Sequence, residues 1–270
     1  PGGVEVAWTY HLIRDREAGR GLRRQWRQLA AESRRFTRTL VAEPRFLAVL
    51  RAVDIAGVES KGPLWLAAEP IRALRAVSRT LGARVGLPAL RMTLHVGEDY
   101  PHLATGLRAV HEPFLWNLVE RGDRLGHASA LGQSAEAWAA ERATAALSRW
   151  NRMLDLGWLL SLVAAEPALP RDAVPLWQAE LSGHLEACGA GAGLREDWTA
   201  LPRRMGTPAW PEDLFSGSAV RPLDQWLARQ LAGDQGALHE VIEVRRDRDV
   251  AALEAVSRWL GAHVARWQVA

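Results

Sequence analysis

Three apolar, β-branched runs constrain this chain most, because each closes on glycine and polar residues and each is followed by an amphipathic segment. The runs are residues 4–13 (VEVAWTYHLI), 48–56 (AVLRAVDIA) and 90–96 (LRMTLHV), and a very short fourth lies at 124–126 (RLG). Short apolar runs bounded by turn residues read as buried strands. Between the first two runs, Leu22, Trp26, Leu29, Phe36 and Leu40 recur at helical spacing, with Arg23, Arg24, Arg27, Arg34, Arg35 and Arg38 on the other face. Ile71, Leu74, Val77 and Leu81 mark a second helix, which Gly82 is expected to stop. Residues 102–121 read as helical, broken or restarted at Pro113. Alternating strands and helices argue for parallel βα units and an α/β fold.

The character changes after about Ala130. Residues 136–163 read as one long helical stretch, after which Pro167, Pro170 and Pro175 break the chain. Residues 187–211 read as an irregular loop, 223–231 and 250–265 as helices, and 241–244 (VIEV) as a short strand. Nine of the thirteen tryptophans fall after Ala130. Tryptophan in that density either glues a helical insertion together or forms a subunit interface, where it is enriched; the first reading is favoured. The expected organisation is 1–131 as central βα units, 132–248 as a mostly helical insertion, and 249–270 as a helix leading back.

A chain of 270 residues with 48% hydrophobic content can bury one sizeable core. Its net charge of +3 does not mark a nucleic-acid binder, and an arginine-rich helix face is most often solvated. Cys188 is the only cysteine, so no internal disulfide forms, which fits a reducing, cytoplasmic setting. The longest apolar stretch, residues 156–165, is short of the ~20 residues that span a bilayer. The start, PGGV, has neither an initiator methionine nor a signal-peptide pattern and reads as the start of a fragment or processed piece.

The chemistry-bearing residues gather where strands end. In His95-Val96-Gly97-Glu98, residues three apart on a continuous strand point to opposite faces. His95 and Glu98 therefore share a pocket only if the strand ends between them, and Gly97 permits such a turn. A strand-end histidine followed by a turned-in carboxylate supplies a metal ligand and a nearby general acid or base. The short fourth strand ends in His127, and the second ends in Asp54-Ile55-Ala56-Gly57-Val58-Glu59. Each motif alone has a plainer explanation. HxGE is equally a turn, His127 a buried histidine bonded to a carbonyl, and Asp54 or Glu59 a helix cap or a partner of Arg72. Three successive strand ends with the same character favour the functional reading, because βα barrels draw active-site residues from the C-terminal ends of several strands.

The order DIAGVE, TLHVGED and DRLGHA resembles the adenosine/AMP deaminase family of metal-dependent amidohydrolases, and is most similar to the deaminase subunit of RADAR-type bacterial antiviral defence systems. The likeness covers roughly residues 4–131. It implies a partial (β/α)8 TIM barrel holding the central strands, with a large helical insertion. It also implies that His95 is a zinc ligand, that Glu98 protonates purine N1, and that His127 orients and helps deprotonate the attacking water. Gly57 and Glu59 fall at substrate-binding positions, Gly57 through its backbone N–H. The implied substrate is adenosine, an adenine nucleotide or adenosine within RNA. The implied partners are further copies of the chain and an ATPase of a defence system, with no membrane. Val96, Ile55 and Ala128 are mild departures from the family pattern.

The larger departure is in the metal set. No HxH pair occurs in the chain, and no strand-end aspartate of the family type follows near its end. The chain is therefore expected to carry part of a barrel and one ligand of several, inactive alone and completed by flanking sequence or a second chain. The alternative is a catalytically incomplete scaffold that builds oligomers in a defence complex. Base deaminases with H-x-E and P-C-x-x-C are excluded, because His184-Leu185-Glu186 has no cysteine pair after it. A phosphate-binding G-x-x-x-x-G-K-[ST] loop does not occur. His11, His102, His111, His239 and His263 show no ligand-like spacing and take no role, although His102 and His111 follow the HVGED turn closely enough for one of them to line the pocket.

Overall fold

Four parallel strands, β1 (Trp8–Ile13), β2 (Leu50–Ala56), β3 (Arg91–Val96) and β4 (Arg124–His127), lie side by side in sequence order in the computed structural model. The structure describes residues 7–14, 21–191, 193–231 and 236–269; the first residues of the expected 4–13 strand lie outside these. Each strand alternates between two environments. Leu12, Val53, Ile55, Met92, Leu94 and Val96 are buried in the hydrophobic core. Helices α1 (Leu22–Ala42), α2 (Ala68–Val85) and α3 (Leu103–Leu115) contribute Leu29, Leu40, Ile71, Leu74, Leu107 and Val110 to the same core. The other face of the sheet carries His11, Asp54, Thr93 and His95. An α/β fold with a parallel sheet is thus present, and a helix follows each of β1, β2 and β3 as expected.

Several boundaries differ from the expectation, each for a local reason. Gly82 does not stop α2. The helix runs on to Val85 and ends at Gly86, which adopts the left-handed conformation at φ 69°. Gly82 is instead a packing residue, because a Cβ there would meet the Leu87 carbonyl oxygen at 2.5 Å. Pro113 does not break α3, since it sits in the last turn, and the helix ends at Leu115 rather than continuing to 121. The stretch 136–163 is not one helix. It divides into α4 (Ala135–Glu141), β5 (Thr144–Ser148) and α5 (Arg149–Ala165). β5 pairs antiparallel with β6 (Val241–Arg245), a partner too distant in sequence for periodicity to reveal. Ser148 then caps α5, its hydroxyl accepting from Asn151 N–H at 3.2 Å.

The expected loop at 187–211 also contains structure. After α6 (Val174–Ala187) come α7 (Leu194–Arg204) and α8 (Trp210–Ser216), followed by α9 (Pro222–Gln230). Trp198 and Leu201 anchor α7 in the core, and Pro202 falls in its last turn. The final helix, α10 (Val250–Val269), packs on α3 and α4, so one core continues from the sheet through the insertion.

Three tryptophans of the insertion serve that core. Trp158, Trp177 and Trp198 are fully buried, and each indole N–H has a partner: His111 Nδ1 at 2.9 Å, Asp249 Oδ1 at 2.8 Å and the Met153 carbonyl at 2.8 Å. Trp198 also sits edge-on to Trp150 and Trp226. A buried indole with its N–H satisfied contributes packing without an orphaned donor. Among the described residues, no helix is long and apolar enough to cross a membrane.

Two buried groups make the core acid-sensitive. His102 caps α3, its Nδ1 accepting from Ala104 N–H at 3.2 Å, while Trp138 packs edge-on against the ring. Burial, reinforced by Arg152, takes its pKa from 6.5 down to about 3. Burial pushes the Glu180 carboxyl up, but hydrogen bonds from Arg152 and His184 outweigh this and take it from 4.5 down to about 2. For both groups the unfolded chain binds protons that the folded chain refuses. Their stabilisation is present above the unfolded values and drains away as pH falls from 6.5 toward 3, and from 4.5 toward 2. Urea unfolding should show a midpoint that falls steadily below pH 6.5. His102→Ala should destabilise by about 3 kcal/mol at neutral pH, through loss of the cap and the cavity left behind, and should flatten that decline. An unchanged slope in the variant would contradict this assignment.

Candidate functional site

Three strand ends meet at one edge of the sheet, each turned by a residue with positive φ. β2 is followed by Gly57 at 114°, β3 by Gly97 at 71°, and β4 ends in His127 at 63° followed by Ala128 at 49°. Neither His127 nor Ala128 is a glycine, and consecutive side-chain-bearing residues in this region are strained. The hydrogen bonds of Ala128 N–H to the Val96 carbonyl at 3.0 Å and of Ala130 N–H to the Gly97 carbonyl at 3.0 Å hold the bend against β3.

His95 lies on the sheet face away from the helices, where parallel register places it opposite Gly126. Gly126 leaves room for the ring, since a Cβ at that position would collide with His95 Cδ2. Asp54, only 4% exposed, stands between two imidazoles: His11 Nδ1 is 2.8 Å from Oδ2 and His95 Nδ1 is 3.1 Å from Oδ1. Asp54 therefore does not pair with Arg72, whose guanidinium donates to the Trp116 and Gly206 carbonyls. A carboxylate facing Nδ1 favours the tautomer that leaves Nε2 as the lone-pair nitrogen, as at metal-ligating histidines.

The turn after β3 presents Glu98. Its Oε2 lies 3.0 Å from His127 Nε2, and the His127 and His95 rings are 5.0 Å apart. Glu98 and His127 are both about half exposed, so this pair is open to a ligand. Glu59 accepts the backbone N–H groups of Gly97 at 2.9 Å, Glu98 at 2.7 Å and Asp99 at 3.3 Å. Arg14 Nη2 donates to the His95 carbonyl at 2.7 Å and to the Gly57 carbonyl at 3.4 Å, tying the ends of β2 and β3 together. Of the five residues singled out in the sequence, His95, Glu98 and His127 thus converge, Glu59 supports the turn that carries Glu98, and Gly57 lies at the adjoining strand end.

Two partners were not visible in the sequence. His11 has no motif around it, and it reaches the site only because parallel register sets it beside Asp54. The signal available was its place near the end of the first apolar run. The second is the insertion. A cleft of about 670 Å³ beside Glu98 is walled by Ser60, Asp99 and Tyr100 on one side and by Ser148, Asn151 and Val241 on the other. His102 and His111 do not line it, because both are buried in helix packing.

Among the described residues, no group of three or more His, Cys, Asp or Glu stands close enough to hold a metal ion. These residues do not by themselves complete a metal site. No known family model matches the chain, and no curated protein matches it.

The glycine opposite His95 gives a direct check on this geometry. Gly126→Ala should drive the His95 ring from its place and lower stability by about 1–3 kcal/mol in urea unfolding. Gly132→Ala, where an added Cβ meets nothing within 4 Å, should change stability by less than about 0.5 kcal/mol. Equal stability of the two variants would show that His95 does not pack on Gly126.

Proposed function

We propose that this chain carries part of the active site of a zinc-dependent hydrolase that converts adenine to hypoxanthine in adenosine, an adenine nucleotide or RNA. The observation that supports this most is the convergence of His95, Glu98 and His127 at the ends of two adjacent parallel strands. The proposal includes a partial barrel, zinc held by His95 with ligands from outside the described residues, and a cytoplasmic defence complex with further copies and an ATPase.

The chain's own groups account for the proton transfers. As a water oxygen bonds to C6, its proton passes to His127 and the Glu98 carboxyl gives its proton to N1. The C6–N bond then breaks. The departing amine takes the His127 proton and leaves as ammonia, while the C6 hydroxyl proton returns to Glu98. The product keeps its proton on N1 and a carbonyl at C6, and both side chains end as they began. Glu98 lines the cleft, and its 3.0 Å approach to His127 supports the two acting as a donor and acceptor pair.

A second reading, an oligomer-building scaffold without catalysis, is favoured by the incomplete metal set. Metal content and inosine release, measured on the chain in its full natural reading frame, separate the two. The enzyme reading expects bound zinc, ammonia released from adenosine or an adenine nucleotide, and losses of about 100- to 10,000-fold in Glu98→Ala and His127→Ala. Full activity in both variants would overturn the site assignment. An intact, oligomeric protein with neither zinc nor activity would establish the scaffold.

A further inference from the structure

We propose that Glu59 is a positioning residue, holding Glu98 in place through the backbone of the turn and making no contact with substrate. This inference rests on the deaminase reading of Glu98. The residues after β3 turn three consecutive amide N–H groups, those of Gly97, Glu98 and Asp99, toward one point. Such a concavity of N–H groups is an anion site, and here the anion is built in. One Glu59 oxygen takes Gly97 N–H at 2.9 Å, and the other takes Glu98 N–H at 2.7 Å and Asp99 N–H at 3.3 Å. Bonds from neutral amides to an ionised carboxylate are roughly twice as strong as those to a neutral acceptor.

The opposite side of the same turn is held as firmly. The Gly97 carbonyl accepts from Ser129 Oγ at 2.7 Å and from Ala130 N–H at 3.0 Å. Gly97 is closed in as well, because a Cβ there would meet Val110 Cγ2 at 2.5 Å. The peptide groups around Glu98 are thus pinned on their N–H side by the Glu59 carboxylate, which follows β2, and on their C=O side by the segment after β4. Glu98 itself is about half exposed. Its 3.0 Å approach to His127 depends on the backbone beneath it. Glu59 links the end of β2 to that backbone, and both of its oxygens are committed to it.

The test uses Glu59→Gln and Glu59→Asp in the full natural reading frame, with adenosine as the probe and amide hydrogen exchange as a second readout. Glutamine is isosteric but presents an NH2 group to amide donors. Aspartate keeps the charge and loses one methylene. Glu59→Gln should lower kcat by about 100-fold while KM stays within about threefold, the signature of a displaced catalytic group. Glu59→Asp should recover part of the loss. Exchange at Gly97, Glu98 and Asp99 should quicken by about tenfold in Glu59→Gln, with α3 amides unchanged. A raised KM at unaltered kcat would make Glu59 a substrate contact and overturn the proposal, as would unaltered exchange at the three amides. Should the wild-type protein release no ammonia from adenosine, an adenine nucleotide or RNA, the enzyme reading fails, and the exchange measurement still decides whether Glu59 holds the turn.

Discussion

A carboxylate buried in the middle of a parallel sheet needs polar neighbours, and Asp54 has an imidazole nitrogen within 2.8 Å on one side and 3.1 Å on the other. An unpaired buried charge costs several kcal/mol, so a strand interior tolerates aspartate only where partners are built around it. Here the partners come from both neighbouring strands: His11 from β1 and His95 from β3. That arrangement makes the helix-free face of the sheet polar at its centre. It also turns the ring nitrogens opposite Asp54 away from it. The bends at Gly57, Gly97 and His127 then bring Glu98 and His127 alongside His95. Without Asp54, His95 would keep its position in the strand but lose the group that sets its tautomer.

The insertion answers the same electrostatic problem differently. Arg108 bonds Asp155 at 2.8 Å and also pairs with Glu112, all three being buried. Burial works against the guanidinium charge, yet the two carboxylates outweigh it and its pKa rises. Arg152 makes a similar junction, with two hydrogen bonds to Glu180 at 2.7 and 2.9 Å and Asp249 at 3.0 Å. These ion pairs join α3 to α5, and α5 to α6 and the start of α10. The wall of the cleft that faces Glu98, formed by Ser148 and Asn151, is therefore fixed relative to the sheet. Removing one partner would leave an uncompensated charge, which is why such junctions fix geometry even where they add little net stability.

Much of the sheet and the grouping of polar residues at its strand ends was legible because both depend on local patterns. Apolar runs closing on glycine marked β2 and β3, and the HxGE spacing required a bend that Gly97 supplies at φ 71°. What stayed hidden depended on distant contacts. β5 could not be separated from the helices around it, since its partner β6 lies beyond five helices. Gly82 looked like a helix stop because its function is close packing on the Leu87 carbonyl, which no local rule encodes. His11 lacked any motif, and only parallel register sets it beside Asp54. Glu59 drew notice at its strand end, but its three backbone partners lie nearly forty residues away and on another strand end.

The account turns on Asp54 setting the state of the two imidazoles. The most direct measurement is a long-range proton–nitrogen NMR spectrum of the histidine rings, in the wild-type chain and in Asp54→Asn, with His95 assigned through His95→Gln. The account predicts that at pH above the histidine range His95 carries its proton on Nδ1, facing Asp54, and leaves Nε2 unprotonated. Asp54→Asn should shift that population toward the Nε2–H form. A wild-type His95 that already carries its proton on Nε2, unchanged by the substitution, would contradict the account.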